Sequence, residues 1–245
     1  MRRWLTVTMI LIAAAALKAQ VPQTFRNLQH YPKDIPPAQL TQRMREFSFA
    51  LGVRCQYCHT GGDGVSFEGV DFASDDKVSK VKARAMLRMV DQLNGPILGA
   101  LPRRSEPRVL VECSTCHRGV VVPKSLQTAL VEIATKDGGP AAAAKYRDLR
   151  REGVELGRYN FGAWELMEAA RRLREAGNTE ATRAILELNG EFHSDMAEID
   201  FALGELLREN GDRDGALARY RAALKKAPGM VPAQRRIEEM EKKPQ

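Results

Sequence analysis

The chain has 245 residues, a formal charge of +7, and 44% hydrophobic but only 6% aromatic residues. That length suffices for one large domain or two small ones, and the weight of Ala, Leu, Glu, Arg and Lys favours helix over strand. Basic and acidic residues interleave along the chain, which argues for a solvated surface and against a nucleic-acid footprint.

Residues 1–19 read as an export leader. Arg2 and Arg3 form the positive start, Trp4 to Leu17 the apolar stretch, and Leu17-Lys18-Ala19 the processing site, with cleavage expected after Ala19. The apolar stretch is short for a membrane span, so an uncleaved anchor is the lesser reading. Removing Arg2, Arg3 and Lys18 with the leader leaves a charge of +4. Gln20 to Pro37, with Pro22, Pro32, Pro36 and Pro37, predicts an extended lead-in that wraps the surface. His30 lies in it and is read first as a solvated loop residue.

A helix is expected from Thr41, as N-cap, to Gly52, with Leu40, Met44, Phe47, Phe49 and Leu51 on an apolar face. The first of two short runs follows, Cys55-Gln56-Tyr57-Cys58-His59. Gly61, Gly62 and Gly64 predict a turn. A second helix, Lys77 to Asn94, should bury Val78, Val81, Ala85, Leu87, Met89 and Leu93 and stop at Gly95-Pro96. A basic loop with Arg103-Arg104 leads to the second run, Cys113-Ser114-Thr115-Cys116-His117.

Both runs are C-x-x-C-H, the attachment signature of c-type haem. Two thiols one turn apart can add to the two vinyl groups of one haem, and the adjacent His lies under the iron as proximal ligand. The pattern consumes all four cysteines, Cys55, Cys58, Cys113 and Cys116, and places His59 and His117 as iron ligands. One structural zinc held by both pairs, disulfides, or redox dithiols are the alternatives. Neither zinc nor a dithiol needs a His after both pairs, so two covalent haems are expected. Export agrees with this, because every Cys is committed to a motif outside the reducing cytoplasm.

The stretches Ala50-Leu-Gly-Val-Arg-Cys-Gln-Tyr-Cys-His59, Ala83-Arg-Ala-Met-Leu-Arg-Met-Val90 and Cys113-Ser-Thr-Cys-His-Arg-Gly119 resemble the cytochrome c subunit of photosynthetic reaction centres. That family carries four haems in two pairs, each built as helix, C-x-x-C-H, helix, C-x-x-C-H; this chain has one pair, over about residues 38–124. The resemblance implies Met44 as distal ligand of the first iron and Met86 of the second; Met89 stands in the same pattern but not at the family's ligand place, and is the second choice. A thioether sulfur in that position raises the potential. On the residues alone, core packing is the competing reading of each Met. With one pair missing, electron donation to a reaction centre does not follow, and a general electron carrier is expected.

From Leu126 the chain reads as entirely helical. Residues 125–162 are expected as a helical connector and 163–245 as repeats. Leu173-Arg-Glu-Ala-Gly-Asn178 aligns with Leu207-Arg-Glu-Asn-Gly-Asp212, 34 residues later, and Gly204, Ala216, Tyr220, Ala223 and Pro228 follow the tetratricopeptide spacing. Ala170 and Thr182 occupy the places of Gly204 and Ala216 in a degenerate first unit, and Met230 to Lys243 reads as a capping helix. His193 is expected at a loop or core edge.

The expected fold is thus all-α, a small dihaem cytochrome c domain followed by helical-hairpin repeats. The expected function is an exported, periplasmic or cell-surface electron carrier acting between redox partner proteins, with the repeats docking a partner or a second copy. With His and Met on the two axial positions, all six iron positions are filled and no place is left for a substrate. A dihaem, peroxidase-like enzyme is the alternative; it would need one open iron and an acid–base group beside it.

Overall fold

The computed structural model describes residues 24–64, 66–102, 107–153 and 157–242. The leader with its Ala19 cleavage point, Pro22, the Arg103-Arg104 pair and Lys243, the last residue of the expected capping helix, lie outside them. Among the described residues there are ten α-helices and one two-residue antiparallel ribbon, so the fold is all-α. None of these helices is long and apolar enough to cross a membrane. The chain divides into two compact units at Val121/Val122.

In the first unit, α1 (Pro37–Leu51) begins four residues before the expected Thr41 cap. Pro37 supplies the preset φ of a first helical turn, and the Thr41 hydroxyl donates back to the Pro37 carbonyl at 2.8 Å instead of capping. Gly52 ends the helix as expected, at φ +66°. Its amide donates to Phe49 O and that of Val53 to Ser48 O, the paired bonds of a left-handed helix stop. A Cβ on Gly52 would lie 2.2 Å from the Gly119 carbonyl oxygen, and Gly119 N donates to Ala50 O at 2.8 Å. Backbone thus meets backbone where α1 ends and the second C-x-x-C-H run has just ended.

The strands β1 (Thr60–Gly61) and β2 (Val70–Asp71) close the loop after the first run. Then α2 (Val78–Gln92) departs from expectation in two ways. It does not stop at Gly95-Pro96: a π turn over Leu93–Ile97 carries it on, absorbing the proline that lacks an N–H. The contacts along it also differ from those expected. Val78, Val81 and Met89, expected inside, are exposed, while Arg84 is buried. The reason is the polar clamp on its opposite face. Lys80 Nζ donates to the carbonyls of Phe72, Ala73 and Ser74 at 2.8, 3.0 and 2.6 Å. Arg84 pairs with Asp75 at 2.8 Å and donates to Asn27 O at 3.1 Å. The lead-in is thereby bound to α2, and His30 adds a 3.7 Å contact to Asp91. The helix α3 (Cys113–His117) is the second run itself.

The second unit opens with α4 (Leu126–Asp137) and α5 (Gly139–Gly153), a hairpin rather than a bare connector: Leu126, Leu130, Ala142 and Tyr146 share one core with the helices that follow. Those are α6 (Ala163–Glu175), α7 (Thr179–Phe192), α8 (Ala197–Glu209), α9 (Arg213–Lys226) and α10 (Val231–Glu241). The starts of α6, α8 and α10 fall 34 residues apart, as do those of α7 and α9. The turns repeat as well. Asn178 caps α7 and Asp212 caps α9, and their amides donate to Leu173 O and Leu207 O, both at 2.9 Å. Gly204 is small for a reason: a Cβ there would lie 2.6 Å from the Tyr220 ring, which is fully buried with its hydroxyl on Glu205 at 2.5 Å. Arg236 of α10 reaches the same carboxylate at 2.8 Å, which ties the last helix to α8.

Two substitutions test these contacts. Gly52→Ala forces a left-handed φ, costing about 1–2 kcal/mol before any clash with Gly119. Calorimetry of the haem-loaded full chain should show the first unit melting earlier and the second unchanged. Gly204→Ala overpacks against Tyr220 at a cost of about 1–3 kcal/mol, against roughly 1 kcal/mol gained in helix propensity. The urea midpoint of the helical unit should fall, and a rise would refute the close packing.

Candidate haem site

The first run coils into a single 3-10 turn over Cys55–Tyr57. The amides of Cys58 and His59 both donate to Cys55 O, at 3.1 and 3.0 Å. The Ser79 hydroxyl of α2 donates to Tyr57 O. The His59 ring packs edge-on to Phe72 with centroids 5.0 Å apart, and Phe67 backs Phe72. Burial, helped by the Lys80 and Arg84 charges against an opposing Asp71, holds the imidazole pKa down at about 4. His59 is therefore neutral at pH 7, the form that ligates a metal. Its Nδ1 is buried with no hydrogen-bond partner.

The second run is one helical turn with its own cap. The Glu112 side chain accepts from Thr115 N, and the Glu112 amide donates to Thr115 Oγ1 at 2.9 Å. His117 Nδ1 lies 3.0 Å from Val120 O. A carbonyl can only accept, so Nδ1 carries the proton and Nε2 keeps its lone pair for a metal. Arg118 and Gly119 turn the chain at positive φ directly after the ligand. Upstream, Asn94 Nδ2 donates to Val111 O and the Val111 amide to Asn94 Oδ1, both at 2.8 Å. That two-bond staple hangs the second run from the end of α2.

None of the four cysteines is paired. Among the described residues no three or more His, Cys, Asp or Glu side chains converge as a set that could hold one metal ion. The single zinc shared by both pairs, weighed above, has no such geometry here. A flat apolar group held at each run fits better. Around the runs, Phe49 is 79% and Val109 72% exposed, and Val78, Val81, Ile97 and Leu110 are exposed too. Buried apolar side chains in this unit are Ile35, Leu40 and Ala50 among the described residues. The free Nε2 of His117, the neutral His59 and this uncovered apolar surface are what a covalent haem at each run would use.

The methionines stand differently from one another. Met44 is half-buried on α1. Met86 and Met89 are 41% and 42% exposed on α2. At 3.6 residues per turn Met89 falls on the stripe of Val78, Val81 and Ala85, and Met86 on its flank. His30 contacts Asp91 and Tyr31. His193 ends α7, its Nε2 3.2 Å from Phe161 O, at a core edge of the second unit.

Sequence reasoning missed Asn94, Ser79, Lys80 and Arg84. Asn94 stands before Gly-Pro and reads as a helix stop. The two cations read as solvated because their acceptors, loop carbonyls for Lys80 and Asp75 and the Asn27 carbonyl of the lead-in for Arg84, have no signature in sequence.

Residues 55–161 match the family described as photosynthetic reaction centre cytochrome C subunit. The match begins at the first C-x-x-C-H run, so α1 and Met44 precede it, and it extends beyond the expected residue 124 through the α4–α5 hairpin. Cytochrome c-554 of Chloroflexus aurantiacus is 34% identical over 109 residues, 41% of this chain and 23% of that protein. The photosynthetic reaction center cytochrome c subunit of Roseobacter denitrificans is 32% identical over 88 residues, 36% of this chain and 22% of that protein. The chain thus spans under a quarter of the length of these curated relatives. Cytochromes c hold their haem covalently, and the residues at both runs fit that attachment. With the runs, their local folds and these likenesses together, this chain resembles the cytochromes c, the reaction-centre cytochrome c subunit among them.

Proposed function

We propose that this chain is an exported dihaem c-type cytochrome that passes electrons between protein partners. The observation that carries the reading is the pair of C-x-x-C-H runs, each wound into a single turn within one compact unit, with four unpaired thiols and uncovered apolar surface around them. Cys55 and Cys58 would hold one haem and Cys113 and Cys116 the other, with His59 and His117 as proximal ligands. Haem so held supplies a one-electron change at iron and no bond chemistry on a substrate when both axial positions are filled.

The chain's own part is to hold and orient. Gly52 against Gly119 keeps the two runs in one body, and the Asn94 staple sets the second run relative to α2. Met44 is the distal ligand proposed for the first iron. Met86 is that for the second, with Met89 its rival on the same helix. Residues 1–19 act as the leader to the periplasm or cell surface. Residues 38–124 form the dihaem domain, and 163–245 are tetratricopeptide-like repeats that dock a partner or a second copy. The 34-residue helix register and the Gly204–Tyr220 packing support that last assignment.

The test is the visible spectrum of the protein matured with haem, oxidised, reduced, and reduced under carbon monoxide. The expected result is two haems per chain, low-spin in both states and indifferent to carbon monoxide. Met44→Ala should open one iron, so that carbon monoxide shifts half of the haem spectrum. Met86→Ala and Met89→Ala, compared in the same way, identify the second ligand. Carbon monoxide binding to half the haem of the unaltered protein would replace the carrier with a dihaem enzyme. Absence of covalent haem would return the cysteines to zinc or disulfides.

A further inference from the structure

The surroundings of the two proximal histidines differ in two independent ways. The first is fixed charge. The Lys80 ammonium keeps only 12% of its side-chain exposure and is caged by three carbonyls and by Asp75 at 3.3 Å. One of those carbonyls belongs to Phe72, whose ring packs on His59. Arg84 joins the same Asp75, so the cluster holds two cations against one acid. Asp71 opposes them from the surface, with its carboxylate engaged by the Ala73 and Ser74 amides. A charge fixed in a poorly solvated place acts more strongly than a mobile surface charge. At the second run the carboxylate of Glu112 caps α3, and Arg118 is exposed.

The second difference is the imidazole itself. His117 Nδ1–H donates to Val120 O, which makes its ring the more basic ligand and favours ferric iron. His59 Nδ1 has no acceptor. Ferric haem carries one positive charge more than ferrous haem, so the cation cluster disfavours it at the first run. Both differences therefore act in one direction.

We propose that Lys80 holds the haem of the first run at the higher reduction potential, so that an electron shared within the chain resides beside His59. The inference rests on the dihaem reading above. One iron gains the electron that the other loses, and no proton or further reactant is required. Lys80 is a positioning residue here: it touches the loop that packs on the ligand and acts through its charge.

The experiment is a redox titration of the haem-loaded full chain, followed by visible absorbance, with haem counted per chain first. Two haems and two waves are expected. Lys80→Gln should lower the upper wave and leave the lower in place, moving the electron partition toward the second haem by about tenfold. Lys80→Arg keeps the charge and should restore the upper wave. A Cys113→Ser/Cys116→Ser chain, carrying haem at the first run alone, should titrate with the upper wave. An unmoved upper wave in Lys80→Gln overturns the proposal. So does an equal shift in Lys80→Arg, which would show a structural effect of the loop, or a single-haem chain titrating with the lower wave. A haem count other than two overturns the dihaem reading instead, and is seen before any titration.

Discussion

The first unit is held together by directed polar and backbone contacts more than by apolar side chains of its own. Three apolar side chains, Ile35, Leu40 and Ala50, are buried among its described residues, while Phe49, Val78, Val109 and Leu110 face outward. Ordering a residue costs about 1–2 kcal/mol of backbone entropy, and a unit of this size that buries so little of its own apolar surface has little to set against that cost. A haem at each run, as proposed, would add apolar interior there. On that proposal the thiols and histidines would do more than hold a cofactor: they would place material around which the unit packs. The second unit needs no such help. It buries Tyr146, Leu166, Leu173, Ile185 and Tyr220 essentially completely.

In the first unit the elements are tied by directed bonds between backbone and a few side chains. Asn94 reads both the amide and the carbonyl of Val111. Lys80 gathers three carbonyls, and Arg84 reaches Asp75 and Asn27. Gly52 and Gly119 bring two backbones closer than any side chain would allow. The cations that secure the loop hold the carbonyl of Phe72, whose ring packs on His59, so one set of residues fixes the fold around that imidazole and the charge in its surroundings.

The repeat unit obeys a simpler rule. Each helix pair presents one apolar face that it cannot cover alone, and the next pair covers it. The small-against-large contact of Gly204 with Tyr220 sets how closely α8 and α9 approach. The Glu205 carboxylate, shared by Tyr220, Arg208 and Arg236, fastens the terminal helix. The first of the paired repeats uses Ala170 and Thr182 in the corresponding places, both buried, and Thr182 satisfies its hydroxyl on Asn178 O at 2.7 Å.

By itself the sequence determined what depends on near neighbours. The C-x-x-C-H runs are legible because thiols and ligand must lie within one turn. The stop at Gly52 is legible because a left-handed residue ends a helix locally, and the 34-residue register because a repeated unit repeats its spacing. Tertiary structure alone decided which face of α2 the rest of the chain holds. Its apolar stripe predicts contacts at Val78, Val81 and Met89, yet Lys80 and Arg84 on the opposite face make them, because their acceptors lie in the loop before the helix and in the lead-in. It also decided that Gly95-Pro96 does not break the helix and that Thr41 does not cap one. In each case the local preference was overruled by a partner distant in sequence, or by a backbone form, the π turn or the proline start, whose geometry meets the same hydrogen-bond requirement another way.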